Sequence, residues 1–160
     1  MDIYDYAMQM ERDGEDLYRD LANKAANKGL RSILTMLADA EVKHYKLFEN
    51  MKRNDKVVVA DTSILNDVKN VFVTMKQEKS VEADVSQTEL YRKAQGIEKL
   101  TQDFYLDKAG KVEDKSQSGV FLKIADEEKR HYLVLESIIN FVNRPESWLE
   151  NAEWYHLEEY

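Results

Sequence analysis

Three pairs in this chain place a glutamate three positions ahead of a histidine: Glu41/His44, Glu128/His131 and Glu153/His156. Residues three apart share one face of a helix, so such a pair can offer a carboxylate oxygen and an imidazole nitrogen to one metal ion. A single pair is weak evidence, and recurrence is what separates the first two from the third. At an offset of 87, Ala7, Glu11 and Tyr18 fall on Ala94, Glu98 and Tyr105. The run Leu37-Ala-Asp-Ala-Glu-Val-Lys-His-Tyr45 falls on Ile124-Ala-Asp-Glu-Glu-Lys-Arg-His-Tyr132 at the same offset, and both Glu11 to Glu41 and Glu98 to Glu128 span 30 positions. The chain therefore reads as two copies of one helical hairpin.

Two iron ions held close together need several hard carboxylates to offset their charge, imidazoles to complete their shells, and open positions for oxygen chemistry. The repeat supplies that set: Glu41 and Glu128 as bridging carboxylates, His44 and His131 as one imidazole per metal, and Glu11 and Glu98 as one further carboxylate each. Four glutamates and two ferrous ions sum to neutral, which lets so charged a cluster be buried. Manganese accepts the same ligands. The alternative for both pairs is a satisfied polar layer in a helical core; for Glu153/His156 it is a surface pair.

Other repeated positions carry less specific signals. Tyr18 and Tyr105 fall two turns beyond Glu11 and Glu98, where their hydroxyls can support ligand carboxylates; the alternative is an ordinary core tyrosine. Gly14 and Thr101 stand one turn after those glutamates, where small side chains leave room for peroxide or dioxygen, or coincide by chance. Glu127 can orient His44 from across the bundle, although its counterpart in the first copy is Ala40. Glu15 is either a further acid near the metals or a solvated one. Asp39 and Asp126 precede Lys43 and Arg130 by four and read as exposed helix pairs. No catalytic side chain beyond the metal ligands, and no site for an organic cofactor, is read from the sequence.

The elements that must position these residues are helices. Asp2 is a plausible N-cap for a first helix running to Lys28, with Gly29 as a left-handed stop. The stripe Leu30, Leu34, Leu37, Glu41, His44, Phe48, Met51 steps by four and three and marks a second helix. Residues 54–86 form a crossover that carries its own weak helix from Ile64 to Met75. Ser86 with Glu89 suggests a capping box for a third long helix ending at Ala109 before Gly110. A fourth starts near Ser116 or Ser118 and carries Phe121, Ile124, Glu128, His131, Leu135, Ile138, Val142 at the same spacing, ending at Asn143, Arg144 and Pro145. The expected fold is all-α: a four-helix bundle over 1–143 with one long crossover, parallel second and third helices, and a short helical tail at 144–160.

Composition agrees and excludes alternatives. The chain has 160 residues, no cysteine, one proline and five glycines, so zinc fingers, iron–sulfur ligation and thiol nucleophiles are ruled out and little interrupts helices. With 31 acidic against 23 basic residues and a net charge of −8, it is a poor partner for nucleic acid. No signal peptide or membrane span is read, so the expected location is cytoplasmic.

The constellation Glu11, Glu41-Val-Lys-His44, Glu98, Glu128-Lys-Arg-His131 resembles the ferritin-like di-iron carboxylate superfamily, and within it the rubrerythrins, over about residues 1–143. That resemblance implies a four-helix protein reducing hydrogen peroxide at a di-iron centre held by those six residues. Two departures stand out. Thr101 occupies the position where typical rubrerythrins carry a second glutamate three residues after the first on the third helix. The four cysteines of a rubredoxin module are absent, so electrons are expected from a separate donor. Val42 stands where bacterioferritin has its haem-ligating methionine, so no haem is expected.

Three functions follow as expectations. The first is a di-iron oxidoreductase acting on peroxide or dioxygen. The second is a ferroxidase or iron-handling protein. The third is a metal-stabilised bundle that binds a partner through its tail. The tail's Trp148, Leu149, Trp154, Tyr155, Leu157 and Tyr160 must bury against their own bundle or a second copy, and a homodimer is expected on the latter reading.

Overall fold

The computed structural model describes residues 2–151 and 153–159, with the backbone alone at Glu153. The helices are α1 (Ile3–Lys24), α2 (Lys28–Lys52), α3 (Ile64–Glu78), α4 (Thr88–Lys111), α5 (Lys115–Asn143) and α6 (Pro145–Glu150). Short 3-10 segments lie at Val85–Gln87 and Glu153–Glu159, and no strand occurs among the described residues. This is an all-α, ferritin-like bundle.

Hairpins α1/α2 and α4/α5 account for the most extensive packing. Arg12 and Arg19 of α1 meet Tyr45 and Asp39 of α2, so these helices are antiparallel. Tyr6 and Tyr18 of α1 meet Phe104 and Glu98 of α4, so that pair is antiparallel too. Helices α2 and α4 therefore run parallel, which requires the long connection that carries α3.

Helix ends follow side-chain capping more closely than glycine placement. Asp2 caps α1 as predicted, accepting from the backbone N–H of Tyr4 and Asp5. The predicted end at Lys28 is wrong: α1 stops at Lys24, because the Asn27 side chain accepts from Gly29 N at 2.8 Å and Leu30 N at 3.3 Å and so starts α2. Gly29 is not left-handed; it is small because a Cβ there would lie 2.5 Å from Met75 Sδ of α3. Asp84 rather than Ser86 provides the cap before α4, accepting from Ser86 N at 3.0 Å, and Gly110 lies inside α4. Asp114 caps α5.

Apolar residues fill the interior on both sides of one polar level. Along α2, Leu37 precedes Glu41 and His44 and Phe48 follows; along α5, Ile124 precedes Glu128 and His131 and Leu135 follows. The two apolar clusters so divided hold Tyr18, Leu37 and Leu135 on one side, and Phe48, Tyr105 and Ile124 on the other.

The tail folds back on α3. Trp148, Leu149, Trp154 and Leu157 are all buried, and Phe72 of α3 lies 5.9 Å from the Trp148 ring and 6.0 Å from that of Trp154. The Trp154 indole N–H donates to Trp148 O at 3.0 Å, and Lys69 of α3 holds Glu158 at 2.6 Å. Of the two expected sites of burial, these four side chains use their own chain; Tyr160 lies outside the described residues. Among the described residues, no helix is long and apolar enough to cross a membrane.

Candidate metal centre

All six predicted residues converge at that polar level, one glutamate from each of α1 and α4 and a Glu/His pair from each of α2 and α5. None is more than 4% exposed. Their ligand atoms form two groups, Glu11, Glu41, His44 and Glu128, and Glu41, Glu98, Glu128 and His131; within each group the atoms lie within 4.8 Å of one another. Glu41 and Glu128 belong to both. His44 Nδ1 lies 2.9 Å from Glu128 Oε1 and 3.4 Å from Glu11 Oε2. His131 Nδ1 lies 3.1 Å from Glu41 Oε1 and 3.6 Å from Glu98 Oε1. The two imidazoles are nearly parallel, 5.9 Å apart at an angle of 12°.

Closeness without hydrogen bonding shows what the arrangement suits. Glu11 Oε2, His44 Nδ1, Glu98 Oε2 and Glu128 Oε1 are fully buried and have no hydrogen-bond partner. Buried polar atoms are ordinarily paired, and four acids at one level of a core are prohibitive unless their charge is met. A donor set of four carboxylates and two imidazoles, with orphaned atoms facing one another and two members shared, fits a pair of divalent ions of the iron or manganese type.

Both tyrosines reach across the bundle. Tyr105 OH donates to Glu11 Oε1 at 2.6 Å, and Tyr18 OH donates to Glu98 Oε1. Each tyrosine thus supports the glutamate of the other copy. Glu127 fulfils the one-sided role expected of it, its Oε2 lying 2.5 Å from His44 Nε2. Glu15 instead pairs at 2.9 Å with Arg19 on the surface, and Asp39 also turns to Arg19 rather than to Lys43. Asp126 pairs with Arg130 as expected. His156 is exposed in the tail beside Glu159; its predicted partner, the Glu153 side chain, lies outside the described residues.

A rubrerythrin family model matches residues 2–139. The chain belongs to the rubrerythrin family. Comparison with curated proteins and with solved structures finds no match.

Within the rubrerythrin frame, Gly14 has a specific task. A Cβ there would lie 2.9 Å from Glu41 Oε2, so the space expected for peroxide or dioxygen is taken by a carboxylate. Gly14→Ala is expected to act in opposite directions on two measurements. Melting of the metal-free protein should rise, since alanine is favoured over glycine in a helix interior by about 1 kcal/mol. Metal affinity, read by titration, should fall because Glu41 is displaced.

The rubrerythrin layer is reached through a cleft of about 490 Å³ between α2, residues 58–64 and α5, whose lining includes Lys43, His44, Asp61, Glu127 and His131. Lys123 of α5 holds residues 58–64 in place, donating to Val59 O at 2.8 Å and pairing with Asp61 at 3.0 Å. This opening was not legible in the sequence, because 58–64 carries no motif.

Electrostatics divides the six into two kinds. Burial, and next the charge of Glu11, push the Glu41 carboxyl well above the usual range; burial and then Glu41 do the same to Glu128. Burial is also the largest influence on Glu11 and opposes its ionisation, but the neighbouring His44 imidazolium and the hydrogen bonds from Glu41, His44 and Tyr105 together outweigh it and leave Glu11 below its ordinary value. For Glu98, contacts with Glu128 and His131 outweigh burial in the same direction. Against burial, Glu11 raises His44 well above the ordinary imidazole, and Glu98 raises His131. Without metal, protons on the shared glutamates and imidazoles neutralise the layer.

Proposed function

We propose that this chain is a di-iron oxidoreductase acting on hydrogen peroxide or dioxygen, with Glu11, Glu41, His44, Glu98, Glu128 and His131 as ligands and electrons drawn from a separate donor. The observation that carries the reading is the pair of buried Glu/His groups sharing Glu41 and Glu128. A bound iron pair would supply two-electron redox chemistry towards the oxidant. The side chains do the rest. Tyr18 and Tyr105 hold Glu98 and Glu11 in orientation, Glu127 fixes the His44 ring, and the apolar layers above and below keep water from the carboxylates.

A specific observation favours ferrous-ion oxidation as the second reading. Thr101, standing where typical rubrerythrins have a glutamate, removes a carboxylate from the oxidant-reducing set, while the cleft beside His44 and His131 leaves the layer a route for ions from outside. Metal analysis of the purified chain comes first. Anaerobic reduction, then addition of peroxide or of excess ferrous ion with dioxygen, separates the readings: steady-state peroxide consumption supports the first, and catalytic ferrous oxidation without it supports the second. A chain retaining no stoichiometric metal overturns both.

Metal affinity should rise with pH. The shared glutamates and both imidazoles have raised pKa values in the metal-free protein, so protons occupy the positions that metal needs. Raising pH removes the competitor and strengthens binding; lowering it weakens binding. Calorimetric titration in buffers of different ionisation enthalpy should register proton release, and a pH-independent affinity would contradict the assignment.

A further inference from the structure

We propose that Tyr105, Phe104 and Tyr6 form a relay carrying single electrons between the buried Glu/His layer and the surface at the start of α1. The inference rests on reading that layer as a redox metal centre. The Tyr105 ring is fully buried, with its hydroxyl 2.6 Å from Glu11 Oε1. It meets Phe104 edge-on, with centroids 5.7 Å apart, and Phe104 stacks on Tyr6 at 5.1 Å with planes 25° apart. Tyr6 is 51% exposed.

The twofold repeat makes the asymmetry informative. Tyr18 holds Glu98 as Tyr105 holds Glu11, yet among the described residues its one ring contact is the edge of His131 at 6.5 Å. That side has no aromatic outlet. A branch does leave Tyr105 through Phe121 at 5.9 Å to Tyr4 at 6.2 Å, but Tyr4 is only partly exposed and its hydroxyl donates to Gln117.

The steps balance as follows. Reduction of one hydrogen peroxide to two waters takes two electrons and two protons; where a bound metal pair would already be fully oxidised and no reductant is bound, the protons come from water and each electron must come from the chain. Tyr105 gives the centre one electron and passes its phenolic proton to Glu11 Oε1. Tyr6 then returns one electron to Tyr105 across the Phe104 ring; Tyr105 recovers its proton from Glu11, and Tyr6 releases its own to water. A one-electron reductant of the ascorbate class restores Tyr6 with one electron and one proton.

The test uses the full-length, iron-loaded chain, fully oxidised beforehand, with one equivalent of peroxide, no reductant and a nitroso radical trap. Absorbance follows the centre, and mass spectrometry locates the adducts. The expected adduct is on Tyr6, and Phe104→Leu should lose it while the centre still reacts. Tyr132, which is 37% exposed and has no aromatic ring packed on it among the described residues, should stay unmodified. Equal modification of Tyr132 and Tyr6, or a Tyr6 adduct unchanged by Phe104→Leu, overturns the relay. If absorbance registers no reaction with peroxide, the redox reading of the layer fails and the relay falls with it. Tyr6→Phe, on the surface and away from the ligands, gives a second readout: without the trap, the radical signal in electron paramagnetic resonance should outlive that of the unaltered chain, and an unchanged lifetime contradicts the proposal.

Discussion

Glu128→Ala is expected to reduce bound metal from two ions per chain to one or none. Glu128 is 1% exposed and belongs to both buried ligand groups, so its loss removes a donor from each position at once. The remaining donors carry three carboxylates, one charge short of offsetting two divalent ions. The metal-free protein should tolerate the change far better than the metal-bound one, since burial and Glu41 already hold the Glu128 carboxyl well above its usual range and disfavour its charge. The sharpest readout is therefore the metal-dependent rise in melting temperature. A ligand present at about 100 times its Kd stabilises the fold by about 2.7 kcal/mol. Most or all of that increment should be lost in Glu128→Ala while the metal-free melt changes little. A variant that kept two tightly bound ions would overturn the ligand assignment.

Trp154→Ala should produce the largest loss of stability away from the polar layer. The indole is fully buried, stacks on Tyr155 at 3.9 Å, meets Phe72 at 6.0 Å and donates to Trp148 O. Truncating a buried tryptophan costs about 3–5 kcal/mol, a large part of the about 5–15 kcal/mol that holds a domain folded. A fall in Tm on the order of 10 °C follows for a chain of this size. Metal content measured well below the melt should be unchanged, because none of the six ligand residues belongs to the tail. Loss of metal at low temperature would mean that α3 and the tail shape the centre directly. Truncation after Pro145 removes the same cover from Phe72, so it would test the stability of α3 before it could report on oligomeric state.

Much of the site was legible because a helix turns a spacing into a direction. Glu41 and His44 must share a face whatever surrounds them, and the offset of 87 repeats that face with Glu128 and His131. Apolar neighbours at Leu37, Phe48, Ile124 and Leu135 told that the face looks inward. The same periodicity foretold two hairpins and the long crossover, since 30 residues between paired glutamates leave room only for a short turn.

Helix ends were less legible. Gly29 and Gly110 suggested stops, but a glycine also serves where a neighbour crowds the backbone, and Asn27, Asp84 and Asp114 took the capping role through hydrogen bonds that reach forward by two or three residues. Nor could spacing tell a vacant position from a filled one. Gly14 read as room for an oxidant until Glu41, 27 positions away, turned its carboxylate into that room.

What the sequence determined by itself was the helical class, the twofold repeat and the six converging side chains, all consequences of local periodicity within one chain direction. What only the tertiary structure decided was how the helices face each other. Tyr18 supports Glu98 and Tyr105 supports Glu11, each across the repeat, because α1 lies antiparallel to α4. The cleft beside His44, the burial of the tail on α3 and the aromatic path from Tyr105 to Tyr6 likewise join residues far apart in sequence. Such contacts are set by packing between elements, and a one-dimensional period carries no information about the neighbour a face will meet.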